Sequence, residues 1–438
     1  MPADIVMADG AIATLKSGRS LLLLVSIVLA PAPAKAAGFD LILLHGAKQS
    51  AMGGAAIAYT DDTRALIFNP AGLGNVPKGA LDVSLTNVWG GGRATPLFTQ
   101  PDLNVPGDRV PLVFPFLGGT GRINDYLTVG AGFFPAGGSA VQFEYRVDPD
   151  DQTATRDETE IFFLETGVGL AINVDSIGLR IGASYRMTFA QLTRRREAFP
   201  DVSFRAQGGD FTGFRVGFQW TEPTKHLTVG FAYRHKIDVN VDGNGGELVG
   251  AELDSISTTL TLPTRLGGGI RLDFGDFSFV GDFEWLFNSQ NQAILLRPQP
   301  VPALLEALGQ DQVTNTLDWK DHYYVRVGIE YRFFDNRLPV RLGFAYNNRS
   351  TSRRYPTPGG SPPAPAYAVT FGTGYNHGPW QMNVAYAYAW SGTTITEEDL
   401  GADYQTRFLT ECSNCGGPGR YEAYGNFLMW DFSYRWGE

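Results

Sequence analysis

The last strand-length segment of the chain alternates without interruption. Leu428, Trp430, Phe432, Tyr434 and Trp436 are apolar or aromatic, and Met429, Asp431, Ser433 and Arg435 stand between them. Successive side chains of a β-strand point to opposite faces, so one face of this segment is greasy and the other carries charge. The same beat recurs upstream. Leu179, Ile181, Ala183, Tyr185, Met187 and Phe189 oppose Arg180, Gly182, Ser184, Arg186 and Thr188. Val325, Val327, Ile329, Tyr331 and Phe333 oppose Arg326, Gly328, Glu330 and Arg332, and Val340, Leu342, Phe344 and Tyr346 oppose Arg341, Gly343, Ala345 and Asn347. From Ala80 onward, about fourteen such strands can be traced by alternation and turn punctuation, the third of them near 125–134.

The connections sort into two kinds. Gly119 to Asn124, Asn173 to Ser176, Asp335-Asn336 and Asn376 to Pro379 are short and use turn-forming residues. The links 91–107, 135–157, 291–316, 350–364 and 392–421 are long. Short turns at one end and long loops at the other are the habit of outer-membrane barrels, and a soluble sandwich has no reason to sort its loops this way. The expected fold is all-β, a transmembrane antiparallel β-barrel of about fourteen strands with both chain ends on the periplasmic side. Trp89, Trp319 and Trp390 fall near the expected outer strand ends, and Trp220, Trp380 and Trp436 near the inner ends. Two interfacial girdles require such placement.

The N-terminus reads as an export signal. Lys16 and Arg19 precede the apolar run Leu21 to Ala30, and Ala34-Lys35-Ala36 follows with a small-x-small cleavage pattern. A signal peptide over 1–36 is expected, with Met7 as an alternative start. The run is too short to span about 30 Å of hydrocarbon, and no later run is long enough for a membrane helix. The net charge of −10, with no basic stripe, argues against a nucleic-acid partner. Cys412 and Cys415 form a lone C-x-x-C. A zinc site needs more ligands and a thioredoxin-like site needs a βαβ setting, so a local disulfide in an oxidising compartment is expected.

Catalytic signatures are missing. There is no G-x-S-x-G, no Walker loop and no H-E-x-x-H, and the His residues are scattered. No enzyme activity, metal or cofactor is expected. The lumenal face is more informative. It carries Arg180, Arg186, Arg234, Asp282, Glu284, Arg326, Glu330, Arg332, Arg341, Asp431 and Arg435. Buried charges must be paired or hydrated, so these groups are expected to pair across the lumen and anchor whatever fills it. Arg194-Arg195-Arg196 is expected as a solvated charge run, with attraction of lipopolysaccharide phosphates as the sharper alternative. Tyr355 to Pro365 is expected as an extended, mobile loop, and Pro302 to Leu308 as a short amphipathic helix.

One family shares several of these pieces. Ala37-Gly38-Phe39, then Ala51-Met52-Gly53-Gly54-Ala55 through Asp61-Asp62 to Phe68-Asn69-Pro70-Ala71-Gly72-Leu73, resembles the N-terminal hatch of the long-chain fatty acid transporter family, FadL/TodX type. Gly130 to Gly137, Leu262-Pro263, Asp282 to Trp285 and Trp319-Lys320-Asp321 fit the same family. The resemblance implies a hatch over 37–79 plugging a barrel over 80–438. It also implies a monomer in the outer membrane of a Gram-negative bacterium, in contact with lipid and lipopolysaccharide. Its cargo would be a hydrophobic small molecule, a fatty acid or hydrocarbon, leaving sideways through a gap at a kinked third strand. Asn69, Pro70 and Ala71 would pack beside that kink, Phe39 would sit near the substrate pocket, and Phe134, Pro135, Ala136, Gly137 and Gly138 would form or flank the kink. The local chemistry agrees, because Pro135 removes a ladder donor and Gly137-Gly138 permits a bulge. A strand that simply ends at Pro135 is the competing reading. Two functional alternatives stay open: a general diffusion porin, and a non-transport barrel such as an adhesin or secretion accessory.

Overall fold

The structure is a computed structural model that describes residues 43, 45–97, 103–107, 112–147, 154–197, 201–407 and 410–437. The expected signal peptide and Phe39 lie outside the described residues. Fourteen antiparallel strands form a closed barrel. In chain order they are β1 Gly79–Ala94, β2 Leu112–Arg122, β3 Leu127–Tyr145, β4 Thr155–Val174, β5 Leu179–Arg196 and β6 Val202–Thr221. There follow β7, Leu227–Arg234 continued by Ile237–Asn244, β8, Ser255–Leu262 continued by Arg265–Phe274, and β9 Phe277–Leu286. The last are β10 His322–Phe333, β11 Leu338–Asn347, β12 Ala366–His377, β13 Trp380–Ile395 and β14 Gly419–Trp436. Sequence neighbours pair along the barrel, and β14 pairs with β1 from Trp436↔Gly79 to Glu422↔Arg93, which closes the wall. No helix among the described residues is long and apolar enough to cross a membrane.

Alternation sets the two faces. On β14, Trp430 is 51% exposed and Asp431 only 4%. Short turns gather at the end where β1 begins and β14 ends. Gly275-Asp276 joins β8 to β9, and Gly378-Pro379 joins β12 to β13. Gly275 and Gly378 sit at φ of 61° and 53°, where glycine alone pays no steric penalty.

Four sequence expectations are corrected. β3 does not end at Phe134 but runs on to Tyr145, absorbing much of the expected loop 135–157. Trp319 does not belong to a girdle, since it is buried in an apolar cluster on the lumenal side. Arg194 and Arg196 are not a solvated run, because alternation on β5 turns both inward and leaves only Arg195 outside. Tyr355 to Pro365 is not extended, since it folds into a turn closed by Gly360 N–H on the Thr357 carbonyl and buries Pro356, Ser361, Pro362 and Pro363. The expected short helix is present at Ala303–Ala307.

The segment ahead of β1 lies within the barrel. It holds two short helices, α1 Ala47–Ser50 and α2 Ala65–Phe68, and a 3₁₀ turn, Pro70–Asn75. Wall glycines let its backbone approach. A Cβ on Gly328 would lie 2.7 Å from Met52 Cα, and one on Gly182 would overlap the backbone of Pro70 and Ala71. Glycine within a strand often marks such close approach. Gly182→Val is therefore expected to leave the barrel assembled, judged by heat-modifiable gel migration, while making the N-terminal segment protease-sensitive. A segment as resistant as in the parent protein would contradict this packing.

Candidate transport site

The third strand leaves its neighbour partway up the wall. β3 pairs with β2 from Arg122↔Thr128 to Leu117↔Phe133, and there the ladder stops. Above it, β2 continues beside β1 alone, as far as Val88↔Leu112. The next pairing on this edge of β3 is Gly107↔Phe143. Among the described residues, Phe134 to Gln142 thus have no partner on the β2 side. At about 3.3 Å per residue, this edge is roughly 30 Å long. On its other side β3 stays paired with β4, through a bulge in which the register shifts between Pro135 and Gly137.

Burial shows where the freed strand goes. The in–out alternation of β3 fails at Phe134 and every residue from there to Val141 is buried. The strand has moved off the lipid-facing surface into the lumen. Its base is pinned by Phe134, which stacks on Phe116 at 5.9 Å between ring centroids and meets His45 edge-on at 6.1 Å. Leu66 and Phe68 of α2 join the same cluster. Over the vacated place, Phe114 of β2 reaches Phe162 of β4, with ring centroids 6.5 Å apart.

Above the kink the lumen is apolar. Ile161, Leu192, Val202, Phe204, Leu296 and Trp319 belong to one buried cluster, and all line a cavity of about 100 Å³. Ser139 of the freed edge lines it too, as do Thr357, Gly359, Gly360 and Ser361 and the run Cys412 to Asn414. Cys412 and Cys415 are joined, with Cα atoms 5.4 Å apart. Arg194 Nη2 donates to Asn414 Oδ1 at 3.0 Å and Arg196 Nη2 to the Ser413 carbonyl at 3.1 Å, which ties this disulfide turn to β5. Arg353 makes a bidentate bond to Asp399 at 2.7 and 2.6 Å in the outer loops. That bond holds the Asp399 carboxyl well below the usual carboxylate range. A lowered pKa contributes stability above the ordinary carboxyl pKa and loses it as pH falls, so this loop tie survives at neutral pH and fails only in acid.

Below the kink the lumen is polar: the inserted segment is ion-paired to the wall, and a polar cavity of about 530 Å³ lies beside Lys48, Tyr59 and Asp61 of that segment, lined also by Glu330, Arg341 and Arg435 of the wall. Arg64 is 1% exposed and meets Asp62 at 3.0 Å, Asp431 at 3.1 Å and Asp82 at 3.8 Å. The backbone N–H groups of Ala56 and Ile57 donate to Asp282 Oδ2 at 2.6 and 3.0 Å, and Tyr59 Oη donates to Glu330 at 2.8 Å. Glu330 also accepts from Arg341, Glu284 pairs with Arg326, and Glu165 pairs with Arg186 and Arg215. Most of the lumenal charges singled out in the sequence thus pair with other lumenal charges or with the inserted segment, while Arg180 Nη1 donates to Thr221 Oγ1 at 3.4 Å and Arg234 Nη2 to the Pro263 carbonyl at 2.8 Å.

Residues 27–416 match a family described as outer membrane protein transport protein (OMPP1/FadL/TodX). The chain belongs to this family. Solved structures of FadL/TodX proteins share its fold. A Pseudomonas aeruginosa FadL homologue is 16% identical, with a TM-score of 0.67 over 92% of this chain and 100% of that one. The Pseudomonas putida toluene transporter TodX is 17% identical, with a TM-score of 0.65 over 91% and 100%. The Ralstonia pickettii toluene transporter TbuX gives the same 17%, 0.65, 91% and 100%. No curated protein sequence matches the chain. As an OMPP1/FadL/TodX member it is an outer-membrane transport protein and not an enzyme.

Within this FadL/TodX barrel, Asn69 Nδ2 donates to the carbonyls of Ile57 and Phe218 at 2.9 and 3.0 Å, and its Oδ1 accepts from Ala71 N–H at 3.2 Å. Asn69 thereby bonds β6, and Pro70 and Ala71 lie against Gly182 of β5. Pro70 faces Ala136 across a small cavity of roughly 20 Å³. Of the residues that press on the kink, Phe68 stands in the hatch motif quoted above, whereas His45 and Leu66 were not singled out from sequence. Nor were Phe114 and Phe162, whose ring contact joins strands that do not pair.

Proposed function

We propose that this protein carries small hydrophobic molecules passively across the outer membrane and releases them sideways at β3. The observation that carries the reading is the junction at Ser139, a residue shared by the apolar cavity and the unpaired edge of β3. The segment ahead of β1 sits in the lumen below the kink and is ion-paired to the wall, which supports reading it as the hatch and speaks against a general diffusion porin. Transfer from water to an apolar site gains about 25 cal/mol per Å² buried, so cargo moves downhill without an energy source. An exit in the wall delivers it to lipid and not to periplasmic water.

The cavity favours single-ring hydrocarbons over long-chain fatty acids. Its volume is about 100 Å³. Apolar cavities on the order of 150 Å³ hold one benzene ring, so this space is nearer the size of a single small ring, which it must widen to admit, than that of an extended acyl chain. TodX and TbuX are named as toluene transporters, which agrees in chemical class. The test is uptake of labelled toluene and labelled oleate, at low external concentration, by cells with and without this protein. Toluene uptake is expected to depend on the protein and oleate uptake is not. Equal toluene uptake by both strains would end the proposal.

A further inference from the structure

We propose that the turn Thr357–Gly360 is the filter between the apolar cavity and the lateral opening, an inference that rests on the cargo reading above. Gly360 N–H donates to the Thr357 carbonyl at 2.9 Å, which closes the turn. Thr357, Gly359 and Gly360 all line the cavity. The tip rests on the freed stretch of β3, where Ser139 Oγ donates to the Gly359 carbonyl at 3.2 Å. The Cβ that Gly359 lacks would fall 2.5 Å from Val141 Cγ1. Cargo crossing from the cavity to the edge of β3 must pass the place this tip occupies.

The flanks of the turn are held more firmly than its tip. Gly416 N–H, next to the Cys412–Cys415 bridge, donates to the Pro356 carbonyl at 2.8 Å. Thr351 Oγ1 donates to the Pro362 carbonyl at 3.1 Å, and Arg353 is clamped on Asp399. The tip has one side-chain hydrogen bond to β3 and no side chain of its own at Gly359. A neutral hydrogen bond of that kind contributes only about 1 kcal/mol net. The tip can therefore lift while its flanks stay in place, and how far it lifts sets the width of cargo that passes.

The geometry suits a cross-link. A sulfur introduced by Val141→Cys would lie where the present Cγ atoms lie, within reach of one introduced by Gly359→Cys. In the double variant, oxidation is expected to lower toluene uptake at least tenfold, to the level of cells lacking the protein, and reductant to restore it. Parent protein carried through the same reductant accounts for the native Cys412–Cys415 bridge. Quenching of Trp319 emission by toluene, isolated by a Trp319→Phe reference, is expected to persist in the oxidised form, since the cavity stays open to the outside. Full uptake with the new bond verified by mass spectrometry would overturn the filter alone. A reduced protein that imports no toluene would overturn the cargo reading and the filter with it.

Discussion

Straightening β3 is expected to abolish uptake while the barrel still folds. The change is Pro135→Val combined with deletion of Ala136. β4 partners Pro135 with Leu164 and Gly137 with Phe163, so Ala136 is the extra residue of the bulge. Removing it restores one-to-one register with β4, and valine supplies the N–H that proline withholds from the ladder. The edge from Phe134 upward is then free to pair with Leu112 to Phe116 of β2. Those five β2 residues, with Pro115 able only to accept, would hydrogen-bond the lower part of the freed edge and narrow the lateral way out there. Toluene uptake at low concentration should fall by at least an order of magnitude, toward that of cells lacking the protein. Heat-modifiable migration should be retained, and so should the low conductance of the parent. Uptake equal to that of the parent protein would show that cargo does not leave beside β3.

The second large effect is expected at Arg64. Its guanidinium is the shared counter-charge of Asp62 and Asp431, with Asp82 close by. Thr63 and Lys48 add backbone N–H bonds to Asp82 and Asp431. Arg64→Met keeps much of the apolar stem and removes the charge. Breaking a buried ionic cluster by deleting one partner costs about 3–5 kcal/mol, because the remaining charges are left uncompensated. Asp62 moves with the inserted segment, whereas Asp82 and Asp431 belong to β1 and β14. Their repulsion should drive the segment from the wall. In planar bilayers the variant should change from near silence to a steady current, at least tenfold above the parent. A silent channel with normal assembly would mean that packing against the wall glycines alone retains the segment.

The sequence made one side of this molecule easy to read and the other hard. Wherever lipid faced one side and paired charge the other, as at Trp430 and Asp431 or Ile329 and Glu330, alternation gave both the strand and its orientation. It failed where both faces are buried. From Phe134 to Val141 no lipid contact remains, so the pattern that defines the other strands vanishes at the strand that matters most. Pro135 and the adjoining glycines marked the place, but the same residues suit a strand end. The apolar half of the lumen was hidden for a similar reason. Ala190 and Leu192 face inward opposite outward Phe189, and greasy residues on both faces leave no period to detect. Trp319 was misplaced because position along the chain shows which end of the barrel a residue occupies but not which side of the wall. Tyr355 to Pro365 read as an extended, mobile loop by composition, yet proline and glycine also suit a tight turn held inside a lumen.

The cluster around Arg64 has a consequence for how the molecule is made. Two of its carboxylates, Asp82 and Asp431, sit on the first and last strands and face the same guanidinium across the seam that joins them. Until synthesis reaches the C-terminus, one side of that cation is missing. Seating the N-terminal segment and zipping the last strand onto the first therefore draw on one shared ion cluster, so each step favours the other.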